Sequence, residues 1–276
     1  MFQRHHIDDD HDQHGGKKYR VEERRSDRGE GLFHCLEYSL SEGSGCGFII
    51  LLILSVIIGV FLGKYFGKSQ SFAKNLLILS AGFLITVCVS EVFPEVYEAE
   101  DHNIGIWIIG GVLLQMILES LTKGFEHGHF HHHHEEKNIL PIALMAGMFV
   151  HAFLEGIPLA NITDVTSPYL LGIVFHNLPI SFILGTFLLR EKSNVFSWFI
   201  IALFALASPL GMVFGDYFNP NWQPYFLALV GGIFLHISSV IIFESNKNHK
   251  MDWQKLFLVI AGVGLALVNH LFHDHH

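Results

Sequence analysis

Charge is what this chain has least of. Only 16% of its 276 residues are Asp, Glu, Lys or Arg, where an ordinary soluble domain carries about a quarter. Of the 17 Lys and Arg, seven fall between Arg4 and Arg28, and the other ten sit between apolar runs or at their edges. With a net charge of −9 and no basic patch beyond the tail, a nucleic-acid partner is excluded. Cysteine is almost as scarce. Cys35, Cys46 and Cys88 are widely spaced and form no CxxC, so neither a disulfide framework nor a thiolate metal site is expected. The opening MFQRHHIDDD has no apolar core, and no cleavable secretory signal is expected from it. Two motifs are absent as well: no P-loop points to ATP hydrolysis, and no HExxH marks a zinc hydrolase.

The space left by charge is filled by apolar residues, 50% of the chain. Residues 1–44 form a polar tail that cannot bury a core and is expected to be disordered. After it, eight apolar stretches follow: 46–66, 72–93, 104–122, 139–161, 168–189, 195–215, 223–243 and 255–272. Each approaches the roughly 20 residues a helix needs to cross about 30 Å of hydrocarbon. Backbone groups cannot reach water inside lipid, and no alternating pattern suggests a barrel, so helices are expected. The reading is an all-α polytopic membrane protein, with residues 45–276 as one eight-helix domain.

The cations set the orientation. Lys64, Lys68 and Lys74 lie between spans 1 and 2, Lys123 and Lys137 between 3 and 4, Arg190 and Lys192 after span 5, and Lys247, Lys250 and Lys255 after span 7. The loops 95–103, 162–167 and 216–222 hold no Lys or Arg. This alternation predicts a cytoplasmic loop 123–138 and extracytoplasmic termini. The tail's nearest cation, Arg28, lies at the limit of the rule's range. A faint repeat also links GFLITVCVSEVFPE (82–95) with GGIFLHISSVIIFE (231–244). These lie in spans 2 and 7, which run oppositely, as an inverted repeat would.

Within "FVHAFLEGIPLA" (149–160), His151 and Glu155 stand one turn apart on one helix face. A carboxylate at membrane depth costs several kcal/mol without a partner or a wet cavity, so it marks a functional candidate. The plain alternative is a protonated glutamate bonded to a neighbouring helix. The next span supplies "FHNLPISF" (175–182), with His176, Asn177 and Pro179. Imidazole and carboxylate both suit Zn²⁺ and Fe²⁺, and a proline frees a carbonyl and kinks the helix beside a bound ion. His176 alone would read equally as an interhelical hydrogen bond. Glu91 and His236 are deep enough to serve a permeation path or a structural hydrogen bond. Glu95 and Glu119 read as interfacial. The loop "EHGHFHHHHEEK" (126–137) carries His127, His129, His131, His132, His133 and His134, which can gather metal without fixed geometry.

On these residues the chain resembles the ZIP (Zrt/Irt-like) family of divalent metal transporters, over nearly all of 46–272. "HAFLEGIPLA" is similar to the fourth-span H-N-x-x-(D/E)-G motif, and "FHNLPISF" to the fifth-span H-E-x-P-H-E motif. "GFLITVCVSEVFPEVYEA" resembles the family's second span, and "ASPLGMVFG" its sixth. The resemblance implies a 3+2+3 inverted-repeat fold and a metal site between spans 4 and 5. It also implies a homodimer in the lipid bilayer. His151 and Glu155 take the fourth-span ligand positions, and His176 and Asn177 the first two fifth-span ones. Ala152 and Ile180 depart from the motifs, at an Asn position and at a third fifth-span ligand. The implied function is transport of divalent transition metal toward the cytoplasm, with zinc as the first expectation and iron or manganese as alternatives. Two rival classes are a metal-binding sensor or scaffold without transport, and an intramembrane zinc hydrolase. The chain is not expected to be an enzyme, because no spare nucleophile stands beside the site.

Overall fold

The computed structural model describes residues 43–67, 69–99, 101–122, 142–189, 195–244 and 253–273. The tail up to residue 42 and the histidine loop lie outside the described residues. Every regular element among the described residues is helical. α1 (Gly43–Phe66) is followed by α2 (Gln70–Val87), which Ser69 caps by accepting from the Phe72 N–H. A π-helical turn at Cys88–Val92 joins α2 to α3 (Phe93–Glu98), so that the two form one span. The remaining helices are α4 (Gly105–Thr122), α5 (Ile142–Gly156), α6 (Pro168–Leu189), α7 (Val195–Gly215), α8 (Gln223–Glu244) and α9 (Trp253–His273).

Six spans are long and apolar enough to cross a bilayer by themselves. The other two among the described residues match the expected stretches closely, α4 over Gly105–Thr122 and α5 with its 3₁₀ turn as far as Asn161. α4 starts at Gly105 behind a turn in which Asp101 accepts from the Asn103 N–H and the Tyr225 hydroxyl. Those two bonds hold the Asp101 carboxyl below the usual carboxylate range. α5 ends at Gly156 because Pro158 has no N–H for the Leu154 carbonyl, and the chain tightens into a 3₁₀ turn over Ile157–Asn161. Large apolar side chains such as Ile50, Leu54 and Phe61 on α1 and Ile109, Leu113 and Met116 on α4 point outward. That is the arrangement of a bundle solvated by lipid. α6 is the most enclosed of the long helices and α9 the least.

Packing divides the spans into two groups. α1 lies along α6, α5 along α7, and α1 also meets α7. In the other group α2 lies along α9, α4 along α8, and α2 meets α8. The groups join chiefly where α2 meets α6 and where α4 meets α5. Glycine makes each close pair. A methyl at Gly59 or Gly63 would overlap the Leu178 or Phe182 carbonyl of α6, and one at Gly211 or Gly215 the Phe153 or Ile157 carbonyl of the α5 span. Small residues of this kind are how membrane helices approach closely.

These contacts reveal a pseudo-two-fold relation. Gly59 and Gly63 correspond to Gly211 and Gly215, so Leu178 and Phe182 correspond to Phe153 and Ile157. The same register carries His176 onto His151, Asn177 onto Ala152 and Ile180 onto Glu155. In the other group Gly82 sits on the Val259 carbonyl and Gly262 on that of Leu79, while Gly232 sits on Ile108 and Gly111 on Leu229. Spans 1–3 thus map onto 6–8, with 4 and 5 exchanged between them, a 3+2+3 inverted repeat. The sequence alignment of 82–95 with 231–244 is corrected by one residue at its start, because Gly82 packs as Gly232 does. The π turn at Cys88–Val92 holds one residue more than an α turn would, so residues after it fall back into the register of the sequence alignment.

Candidate metal centre

His151 and Glu155 project from α5 and His176 from α6, into the seam between the two groups. Their ligand atoms all lie within 4.8 Å of one another, and all three residues are buried, at 1%, 0% and 0% exposure. His151 Nε2 is 2.7 Å from Glu155 Oε1 and 3.4 Å from His176 Nε2, and His176 Nε2 is 3.9 Å from the same carboxylate oxygen. Ligands on one tetrahedral zinc, at bonds of about 2.0–2.2 Å, stand about 3.4 Å apart. The three edges straddle that value.

The electrostatics favour a cation at this point. Apart from the two histidine rings, neither Glu155 oxygen has a hydrogen-bond partner among the described residues, and Asn177 Oδ1 has none. A buried carboxylate without donors carries a penalty of several kcal/mol. The approach of two lone-pair atoms to 2.7 Å requires a proton or a metal between them. Local backbone bonds fix the helices around the centre. The Tyr169 hydroxyl donates to the Glu155 carbonyl at 2.9 Å, and Gln223 Nε2 to the Pro158 carbonyl at 3.0 Å. Ser181 Oγ donates to the Asn177 carbonyl at 2.6 Å. The Phe234 ring stands 6.2 Å from that of His176 and closes one wall. An apolar cleft lined by Met145, Met148 and Phe149 opens nearer the start of α5, and none of the three ligand residues lines it.

A family model described as ZIP Zinc transporter matches residues 126–270, more than half of the chain. The chain belongs to the ZIP zinc transporter family. Membership makes it a carrier of divalent metal cations, and its bundle of apolar helices makes it a multi-pass membrane protein. A search of curated proteins gives no match. The matched segment of this ZIP chain runs from the histidine loop through α9 and includes His151, Glu155, His176 and Asn177. Its first three spans precede the match.

Other residues singled out from the sequence lie elsewhere in the ZIP fold. His236 on α8 is 2.9 Å from Glu119 on α4. Glu91, in the π turn, pairs with His270 of α9. Glu95 is exposed near the C-terminal end of its span. The pseudo-two-fold places His270 where Glu119 lies in the other half, so both cross-helix pairs occupy the same kind of seam. The six loop histidines lie outside the described residues.

Sequence reasoning missed two participants. Tyr169 reaches the Glu155 carbonyl from the next helix, and nothing in its neighbourhood signals that. Gln115 is 0% exposed, with Oε1 3.2 Å from His151 Nδ1. A signal for Gln115 did exist. It is an amide inside the apolar run GGVLLQMIL, and such a group at membrane depth needs a partner.

Proposed function

We propose that His151, Glu155 and His176 form the transport site of this ZIP protein, with Asn177 as a weaker neutral ligand. Zinc is the favoured cargo, because two imidazoles, a carboxylate and one water complete its usual tetrahedron. Iron or manganese would prefer more oxygen ligands. The observation that carries the reading is the convergence of three buried ligand residues whose donor atoms lie 2.7–3.9 Å apart, on either side of a tetrahedral edge. One ion per protomer is expected. Glu155 is the only carboxylate in the group, and its pseudo-symmetric counterpart is the buried apolar Ile180. Two divalent ions side by side would repel strongly around a single negative charge.

Movement follows by alternating access, the centre opening to one face and then the other. The described centre is shut to both, since all three ligands are buried. No hydrolysis is needed to drive entry. A potential of 100 mV favours inward movement of a divalent ion by about 4.6 kcal/mol. Glu91 and His236, each in a cross-helix pair away from the centre, are candidates for the path to it, and the loop histidines are assigned to gathering metal at the cytoplasmic face. Uptake of zinc into liposomes bearing the purified protein, with iron and manganese as competitors, tests the reading. Zinc-selective uptake supports it. Tight binding without uptake would make the protein a sensor or scaffold instead.

A further inference from the structure

We propose that Gln115 is a positioning residue for the cargo metal, holding the His151 imidazole so that its Nε2 lone pair faces Glu155 and His176; this rests on the transport-site reading above. An imidazole that gives one nitrogen to a metal carries its proton on the other, and that N–H needs an acceptor. In the described centre Nε2 faces the other two ligands and Nδ1 faces Gln115 Oε1 at 3.2 Å. Gln115 is 0% exposed, so water does not compete for that bond.

The bond also crosses the seam between the helix groups. Gln115 stands on α4 and His151 on α5, one of the places where the groups meet. At 3.2 Å it is already near the long end of a hydrogen bond, and a relative shift of about 1 Å would end it. The ring is then free to turn, so tight binding is tied to the docked arrangement of the two groups. The other half of the pseudo-symmetric fold lacks this device. The position equivalent to Gln115 is Ala266 in α9, whose methyl cannot accept a hydrogen bond. Gln115 and Glu155 therefore stand in the same half.

The test uses the purified full-length protein, Co²⁺ as the probe and its visible ligand-field absorption as the readout. Gln115→Leu removes the acceptor at similar volume, and Gln115→Glu keeps an acceptor. Gln115→Met replaces the leucine variant should that one fail to elute as a single species. The leucine variant is expected to bind Co²⁺ about 10–100-fold more weakly, with an altered absorption envelope. Its apparent KM for zinc uptake should rise while the maximal rate is kept. The glutamate variant should retain both binding and envelope. Unchanged binding in the leucine variant overturns the proposal, and so does equal loss in the leucine and glutamate variants, which would make Gln115 a space filler. Failure of the unsubstituted protein to bind Co²⁺ would instead strike the transport-site reading itself.

Discussion

Glu155 has both oxygens buried, with the ring nitrogens of His151 and His176 at 2.7 and 3.9 Å from Oε1, in a segment whose other side chains are mostly apolar. A group in that position is costly unless it faces a cation, and the two histidine nitrogens stand 3.4 Å apart beside it. At this scale the roles are separable by substitution. His151→Ala should abolish zinc uptake, because it removes a ligand that Glu155 and His176 both face. Asn177→Ala should only raise the apparent KM, since a neutral amide oxygen binds zinc weakly. Uptake into liposomes, with protein amounts normalised, measures both. The His151–Glu155 pair was legible in the sequence because its spacing places both on one helix face. The tie to Gln115 was not, because only packing shows which face of α4 meets α5. Ile180→Glu is a sharper probe of the single-ion account. It restores a carboxylate at the position related to Glu155 by the pseudo-two-fold, and equilibrium binding should then find a second intramembrane ion.

At the scale of elements, hydrophobic runs gave the spans, since lipid forces their backbone into helices. Their ends and irregularities were harder to read. The break at Pro158 follows from a missing N–H, whereas the π turn at Cys88–Val92 shows only when the two halves are compared. That turn explains why the repeat between spans 2 and 7 looked faint, because the glycines and the later residues match at different offsets. The α1–α6 contact depends on bare backbone at Gly59 and Gly63. Gly63→Leu should drive α1 away from α6 and lower the melting temperature of the detergent-solubilised protein. The same change at Gly264, where nothing lies within 4 Å of an added methyl, should leave it nearly unchanged. Equal effects at the two sites would show that close packing at Gly63 contributes little.

For the whole molecule, the cation alternation predicts which face each loop occupies. We propose that a single cysteine placed within 128–134 reacts with an impermeant reagent only from the cytoplasm, and one at Asn219 only from outside. Labelling of both from one face would contradict the eight-span orientation. Replacing His131, His132, His133 and His134 with Ser should preserve uptake while changing its response to metal concentration, because the proposed transport site uses none of these histidines. The central claim is that one ion crosses through Glu155 and its two histidine partners. The most direct test compares zinc uptake by liposomes carrying the full-length protein with uptake by the Glu155→Ala variant, at matched insertion. The account predicts uptake in the first and background in the second; full activity in Glu155→Ala would contradict it.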